Sequence, residues 1–323
     1  MRAGFYEKNG AAREVLQIGE VDTPRPAAGE VRVKLATSGV NPSDVKSRQG
    51  TTRKITYPRV IPQSDGAGTI DQVGDGVPKS RVGERVWIWN GHWKRAFGTA
   101  AEYVALPAAQ AVKLPDTIGF EAGACLGIPA MTAYHAVELA KAAKGMTLLV
   151  SGGAGSVSQY VVQFAKAAGA QVITTISSSE KAGIAREAGA DYAINYKTEP
   201  VGERVMQITG KRGVDAVIEM DLAANAGLIP AVLRSKGSVI IYGTGPEASI
   251  PAAFCLVNTI RLQFFLVYEL DAGERERAVS GISRALAQGR LANRVGPIFP
   301  LTDLAAAHEA VERGTIGNVI VTM

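Results

Sequence analysis

Through the second half of the chain, short apolar runs without polar alternation take turns with stretches of helical spacing. TLLV (147–150), QVITTI (171–176), DYAINY (191–196), VDAVIEM (214–220) and SVIIY (238–242) read as strands, and 261–267 as the last of about six. Between them, 155–168, 178–188, 201–209 and 224–234 have helical spacing. Strands that are apolar on both faces and separated by helices predict a parallel sheet covered on each side, the doubly wound pattern. The first third has a different texture. Residues 31–35, 68–73, 85–89 and 101–106 read as short strands, parted by the turn compositions NPSD, GDG, VGE and NGHW. That pattern predicts a compact β-rich domain. From 121 to 144 the chain is alanine-rich and helical, interrupted by Gly127 and Pro129. After Leu270 come helices at 274–288 and 305–312, the turn-rich LANRVGPIFPL between them, and a final strand GNVIVTM that is expected to return to the N-terminal domain.

Composition narrows the class. With 323 residues, 46% hydrophobic and 20% charged, the chain suits two globular domains. The net charge of +5 is spread along the sequence, so nucleic acid is not an expected partner. Two cysteines, Cys125 and Cys255, exclude a disulfide framework and a four-cysteine zinc site. MRAGFYEKNG lacks the apolar segment of a secretory signal, and no apolar run has the roughly 20 residues of a membrane span. A cytoplasmic location is expected.

SGGAGSVSQ (151–159) follows the first strand of the parallel sheet and opens its first helix. In that place Gly152-x-x-Gly155-x-x-Ser158 is a shifted variant of the dinucleotide fingerprint. Gly152 permits the sharp turn, Gly155 lets a pyrophosphate approach backbone amides at the helix N-terminus, and Ser158 holds the helix–strand packing position. A site for NAD carries an acid about 20 residues on, at the end of the second strand. Here Ser177, Ser178 and Ser179 stand there, with Lys181 just beyond. No anion repels a 2′-phosphate, and the reading is NADP(H). Ser177 and Glu180 also read as a capping box, which leaves Ser178 and Lys181 free.

The order GVNPSD (39–44), PQSDGAG (62–68), VGERV (82–86), AEYV (101–104), LGIPAMTAYHA (126–136), the glycine loop and AHEAVERGTIGNVIV (307–321) resembles the medium-chain dehydrogenase/reductase superfamily. Within it the chain looks most like the zeta-crystallin-like NADPH:quinone oxidoreductases. The resemblance implies a GroES-like β-rich catalytic domain (1–123, completed by 269–323), a doubly wound Rossmann NADP-binding domain (124–268), and the coenzyme in the cleft between them. Zinc-dependent members hold their metal with a cysteine and a His-Glu pair. The matching stretches here are 40–44 and 63–65, without cysteine or histidine, and His92, His135 and His308 have no partner at ligand spacing, so no zinc is expected.

Carried over residue by residue, the family's coenzyme contacts fall on Ala154, Gly155, Ser156 and Val157 at the phosphates, and on Ser177, Lys181 and Tyr196 at the adenosine end. Asn225, Tyr242, Gly243, Thr244 and Gly245 follow later strands, and Phe265, Leu266, Val267 and Asn41 fall near the nicotinamide. Arg313 matches a C-terminal arginine near the phosphate. Asn225 serves equally to start a helix, Phe265 as core, and Arg313 as a solvated charge. Lys46 stands where the family often carries a tyrosine, and Tyr57 is shifted.

The implied activity is metal-free hydride transfer to a quinone. An enone, alkenal or enoyl-thioester double bond is the alternative acceptor, and a non-catalytic NADPH-binding protein the other class. Asn41 is the candidate positioning residue. Trp93, in WIWNGHWKRAFG (87–98), is the candidate for stacking on a planar substrate. The flanking His92, Lys94 and Arg95 suit an anionic substrate or a solvated loop tip. A homo-oligomer, dimer or tetramer, is implied by analogy.

Overall fold

A computed structural model describes residues 1–52 and 54–323. The chain forms two units, Met1–Ile128 with Ile282–Met323 and Pro129–Gly281. The divisions fall after Ile128 and Gly281, where the sequence placed them after 123 and 268.

The first unit begins with a hairpin-like pair, β1 (Arg2–Phe5) and β2 (Gln17–Glu20), around the short helix α1 (Ala12–Val15). Then come β3 (Glu30–Val40), α2 (Pro42–Gln49), β4 (Asp65–Val73), β5 (Arg85–Ile88), β6 (Tyr103–Pro107), β7 (Ala111–Lys113) and α3 (Phe120–Gly123). NPSD is not a turn. Asn41 caps α2, Pro42 occupies the first turn where its missing N–H costs nothing, and Asp44 Oδ2 accepts from Asn41 N at 2.8 Å.

The second unit carries α4 (Met131–Leu139), β8 (Thr147–Val150), α5 (Ser156–Ala167), β9 (Gln171–Ile176), α6 (Ser179–Glu187), β10 (Tyr192–Asn195), α7 (Val201–Ile208) and β11 (Val214–Glu219). After these come α8 (Leu222–Asn225), α9 (Ile229–Val232), β12 (Leu233–Ile241), α10 (Ala252–Val257), β13 (Arg261–Phe264) and most of α11 (Ala272–Ala287). All pairs of its six-stranded sheet are parallel, in the order β10-β9-β8-β11-β12-β13. This is the doubly wound order, with the switch point between β8 and β11. β8 and β11 are buried along their whole length, as their uninterrupted apolar runs require, and each such Val, Ile or Leu contributes about 1.5–3 kcal/mol by leaving water. Two expectations fail here. Residues 224–234 are not one helix: Ala226–Leu228 tightens to a 3₁₀ turn, Pro230 restarts α9, and Leu233 already begins β12. The last strand ends at Phe264, and Val267–Glu269 is a 3₁₀ turn.

The chain then adds β14 (Val295–Pro300), α12 (Leu304–Glu312) and β15 (Asn318–Thr322) to the first unit. β15 pairs antiparallel with the end of β3, Val319 opposite Val40. LANRVGPIFPL, read as turn, contains β14. It is the outer strand of a sheet ordered β14-β15-β3-β4-β5-β7, and Pro297 and Pro300 are tolerated because an edge strand need not donate on both sides.

Candidate functional site

In the second unit the loop after β8 is closed by its own backbone. Gly152 N donates to Thr175 Oγ1 (3.1 Å), Gly153 N to Thr175 O (3.0 Å) and Gly155 N to Gly152 O (2.8 Å). Gly152 has φ +64°, a left-handed turn that disfavours any side chain. Gly153, which sequence reasoning passed over, is the tightest position: a Cβ there would lie 2.1 Å from Thr174 Oγ1. The amides of the loop glycines are therefore spent internally. The donors left for an anion belong to the first turn of α5, from Ser156 onward, where no intrahelical acceptor exists. Gly152, Gly155, Ser156 and Val157 are half-buried, whereas Ala154 is buried and can offer only its backbone. Ser158, in place of the last glycine, turns its hydroxyl inward, donating to Ser151 O at 2.8 Å and lying 3.2 Å from the Tyr242 hydroxyl. Serine fits because that hydroxyl is satisfied by the strand end it packs on.

At the end of β9 the cap is Ser178, not Ser177: its Oγ accepts from Lys181 N at 3.3 Å. Ser177 and Lys181 are half-buried, and no carboxylate follows β9 before Glu180, which is exposed. Tyr196 is exposed after β10. β11 ends in a group the sequence did not single out. Glu219 is buried, and its carboxylate accepts from Ser151 Oγ (2.6 Å), Asp221 N (2.7 Å) and Asn225 Nδ2 (2.9 Å). It fixes the glycine loop and the β11–α8 turn together. Asn225 ends α8 and stands at the N-cap position of the Ala226–Leu228 3₁₀ turn, though its side chain goes to Glu219 rather than to a cap. Gly243 approaches Met220 so closely that a Cβ would meet its carbonyl at 2.1 Å, and Gly245 packs on Ala223. Thr244 is exposed, and the Tyr242 phenol is pushed up from its ordinary value by desolvation. Phe265 stacks edge-on against buried His135, centroids 4.9 Å apart, Leu266 is half exposed at 48%, and Val267 is buried.

In the first unit Asn41 Nδ2 donates to Asp65 Oδ2 at 2.8 Å, and Asp65 Oδ1 accepts from Ile128 N at 2.8 Å. Asp65 thus ties the start of β4 to the cap of α2 and to the 126–130 turn, whose Gly127 has no room for a Cβ beside the carboxylate. Burial pushes the Asp65 carboxyl well above the ordinary aspartate range; the Asn41 hydrogen bond opposes this, nearby Asp44 adds to it, and the Ile128 amide opposes it. Arg313 is exposed at the end of α12. Trp93 is half-buried, with Lys94 Nζ 5.5 Å from its ring centre.

A β-rich unit on a sheet closed by the chain's own tail, with a doubly wound unit inserted in it, is the architecture of the medium-chain dehydrogenases and reductases. Residues 27–116 match the alcohol dehydrogenase GroES-like domain, and residues 156–284 match the family described as zinc-binding dehydrogenase. Quinone oxidoreductase of Rattus norvegicus is 30% identical over 315 residues, 96% of this chain and 94% of the relative. A 2-haloacrylate reductase of a Burkholderia species is 28% identical over 99% and 98% of the two chains. Among solved structures, a mycobacterial protein complexed with NADPH is 27% identical, covers all of both chains and has a TM-score of 0.89. The chain belongs to this superfamily, in its zeta-crystallin-like quinone oxidoreductase branch, and is an oxidoreductase of that family.

The residues at the place of the family's catalytic metal do not fit zinc. Asn41, Gln63 and Ser64 supply neutral oxygen and amide groups, and both oxygens of Asp65 are taken by protein donors. Among the described residues no three His, Cys, Asp or Glu side chains converge on a metal position.

Proposed function

We propose that the protein is an NADPH-dependent reductase that passes a hydride to a quinone without a metal. The observation that carries this is the α5 N-terminus: its first-turn amides face the end of a loop whose own amides are closed, while β9 ends in serines and Lys181 in place of an acid. Such donors suit a pyrophosphate, and Lys181 beside serines, with the neighbouring Glu180 exposed to solvent, suits a 2′-phosphate. The first-turn amides of Ser156 and Val157, with the backbone of Ala154, make the phosphate contacts, and Gly152 and Gly155 leave the room for them; Ser177, Ser178, Lys181 and Tyr196 hold the adenosine end. Asn225 and residues 242–245 border the middle of the dinucleotide, and Phe265, Leu266 and Val267 the nicotinamide.

Bound there, NADPH supplies a hydride from C4 of its nicotinamide. Asp65 holds the Asn41 amide in one orientation, so that Asn41 positions the acceptor or the carboxamide with no reorganisation during reaction. Glu219 does the same for the loop beneath the coenzyme. A quinone needs little further help, because the added charge spreads over its oxygens. The test is loss of NADPH absorbance against a panel of ortho- and para-quinones, alkenals and enoyl thioesters. Turnover of alkenals with quinones inert supports the double-bond reading, which the 2-haloacrylate reductase relative favours. The acceptor is a small molecule, and no helix among the described residues is long and apolar enough to cross a membrane. A homodimer is proposed through the β13 edge, where Leu256 (82% exposed), Val257 (81%) and Phe264 (55%) leave an apolar margin beside unpaired backbone groups. Sedimentation of the purified protein checks it.

A further inference from the structure

The first unit holds a cavity of about 300 Å³, at the lower end of the range for small-ligand sites. Two segments distant in sequence wall it, 54–60 and 92–95, with Tyr6 and Ser47 behind them. The walls are pinned by backbone: Tyr6 and Val60 exchange both hydrogen bonds at 2.9 Å, and Ile61 N donates to Ala96 O at 2.9 Å. Gly98 lets the segments close, since a Cβ there would lie 2.2 Å from Gln63 O. Across the rim, Tyr57 Oη donates to Lys94 O at 3.0 Å. Lys94 itself has φ +57°, so the loop is held in a turn that its side chain alone does not favour.

Its lining is both aromatic and one-signed. Tyr57, Trp93, Lys54, Lys94 and Arg95 line the cavity, and among the described residues no Asp or Glu does. Arg95 is the decisive one. Its guanidinium donates to Gln110 Oε1 (3.0 Å) and Ala105 O (3.3 Å), both neutral, and Gln110 is itself fixed by donating to Trp89 O and Asn90 O. Burial lowers its pKa from the ordinary arginine value, and the charge of Glu30 opposes this. A half-buried guanidinium whose hydrogen bonds go to neutral acceptors, and whose burial outweighs the pull of Glu30, keeps a charge only partly compensated, and an anion in the cavity lowers that cost.

We propose that this cavity binds a planar aromatic carboxylate, its ring against Trp93 and Tyr57 and its anionic end toward Arg95 and Lys54. Binding itself does not depend on turnover.

The test titrates the purified full-length protein, without coenzyme, with 2-naphthoate and with its neutral isostere 2-naphthamide, following tryptophan fluorescence and heat. The expected result is naphthoate binding about tenfold tighter than naphthamide, weakening with salt. Arg95→Gln is expected to weaken naphthoate by about tenfold or more, and the exposed Lys54→Gln by a few-fold without disturbing the fold. Equal affinity for acid and amide overturns the proposal, as does naphthoate binding that neither variant changes. Naphthoate binding as expected with no acceptor reduced leaves the cavity standing and ends the reductase reading. Quinone reduction blind to a carboxylate substituent, with no naphthoate binding, does the reverse.

Discussion

The glycine loop of the second unit and the aromatic cavity of the first are the two proposed small-ligand sites, and they are built in opposite ways. The loop is local: 151–158 lie between one strand and one helix, and their partners Thr174, Thr175 and Glu219 sit on the adjoining strands β9 and β11. The cavity is assembled from 6, 47, 54–60 and 92–95, held by hydrogen bonds between residues 35 or more apart in sequence. A local site leaves a signature in sequence order. An assembled one is visible only when the fold has brought its parts together.

Breaking the local site is expected to have the largest effect. Gly153→Val drives a branched side chain into Thr174 at the centre of the sheet, so a loss of about 3 kcal/mol or more and a collapse of NADPH-induced stabilisation are expected in thermal melts. Next comes the hub of the first unit. Asp65→Ala strands the buried donors of Asn41 and Ile128, an expected cost of about 2–4 kcal/mol read from denaturant midpoints. The same residue gives a pH signature. Its folded pKa is raised above the unfolded value, so the folded state binds the extra proton and the stability it contributes is full below about pH 4. That contribution is lost as pH rises toward the folded value, and Asp65→Asn is expected to flatten this part of the profile.

Lys181→Glu is expected to weaken NADPH about 10- to 100-fold while leaving NADH within about threefold, measured by calorimetry. The smallest effect belongs to His308, buried in the first unit with neither ring nitrogen hydrogen-bonded. Desolvation, helped by Arg48, pushes it down to about 3. The unfolded chain takes up the proton first, so stability falls as pH drops from about 6.5 through that window. His308→Leu is expected to remove this acid limb and to change little at neutral pH.

The same contrast explains what was legible in the sequence. β8, β9 and β11 could be read almost to the residue because strands buried on both faces are continuously apolar, and the loop between β8 and α5 carried its own glycines. The failures were of two kinds. Local signals competed at Asn41-Pro42, where turn composition hid a helix start, and at 177–178, where adjacent serines offered the same cap chemistry. Prolines masked the edge strand β14. Long-range partners were invisible: nothing in order of sequence joins Asp65 to Asn41 and Ile128, Glu219 to Ser151, or Arg95 to Gln110.

Paired calorimetric titrations of the purified protein with NADPH and NADH test the central claim most directly. An α5 N-terminus that takes the pyrophosphate, with Lys181 rather than an acid at the adenosine end, predicts NADPH binding at least about tenfold tighter. NADH binding as tightly as NADPH contradicts it.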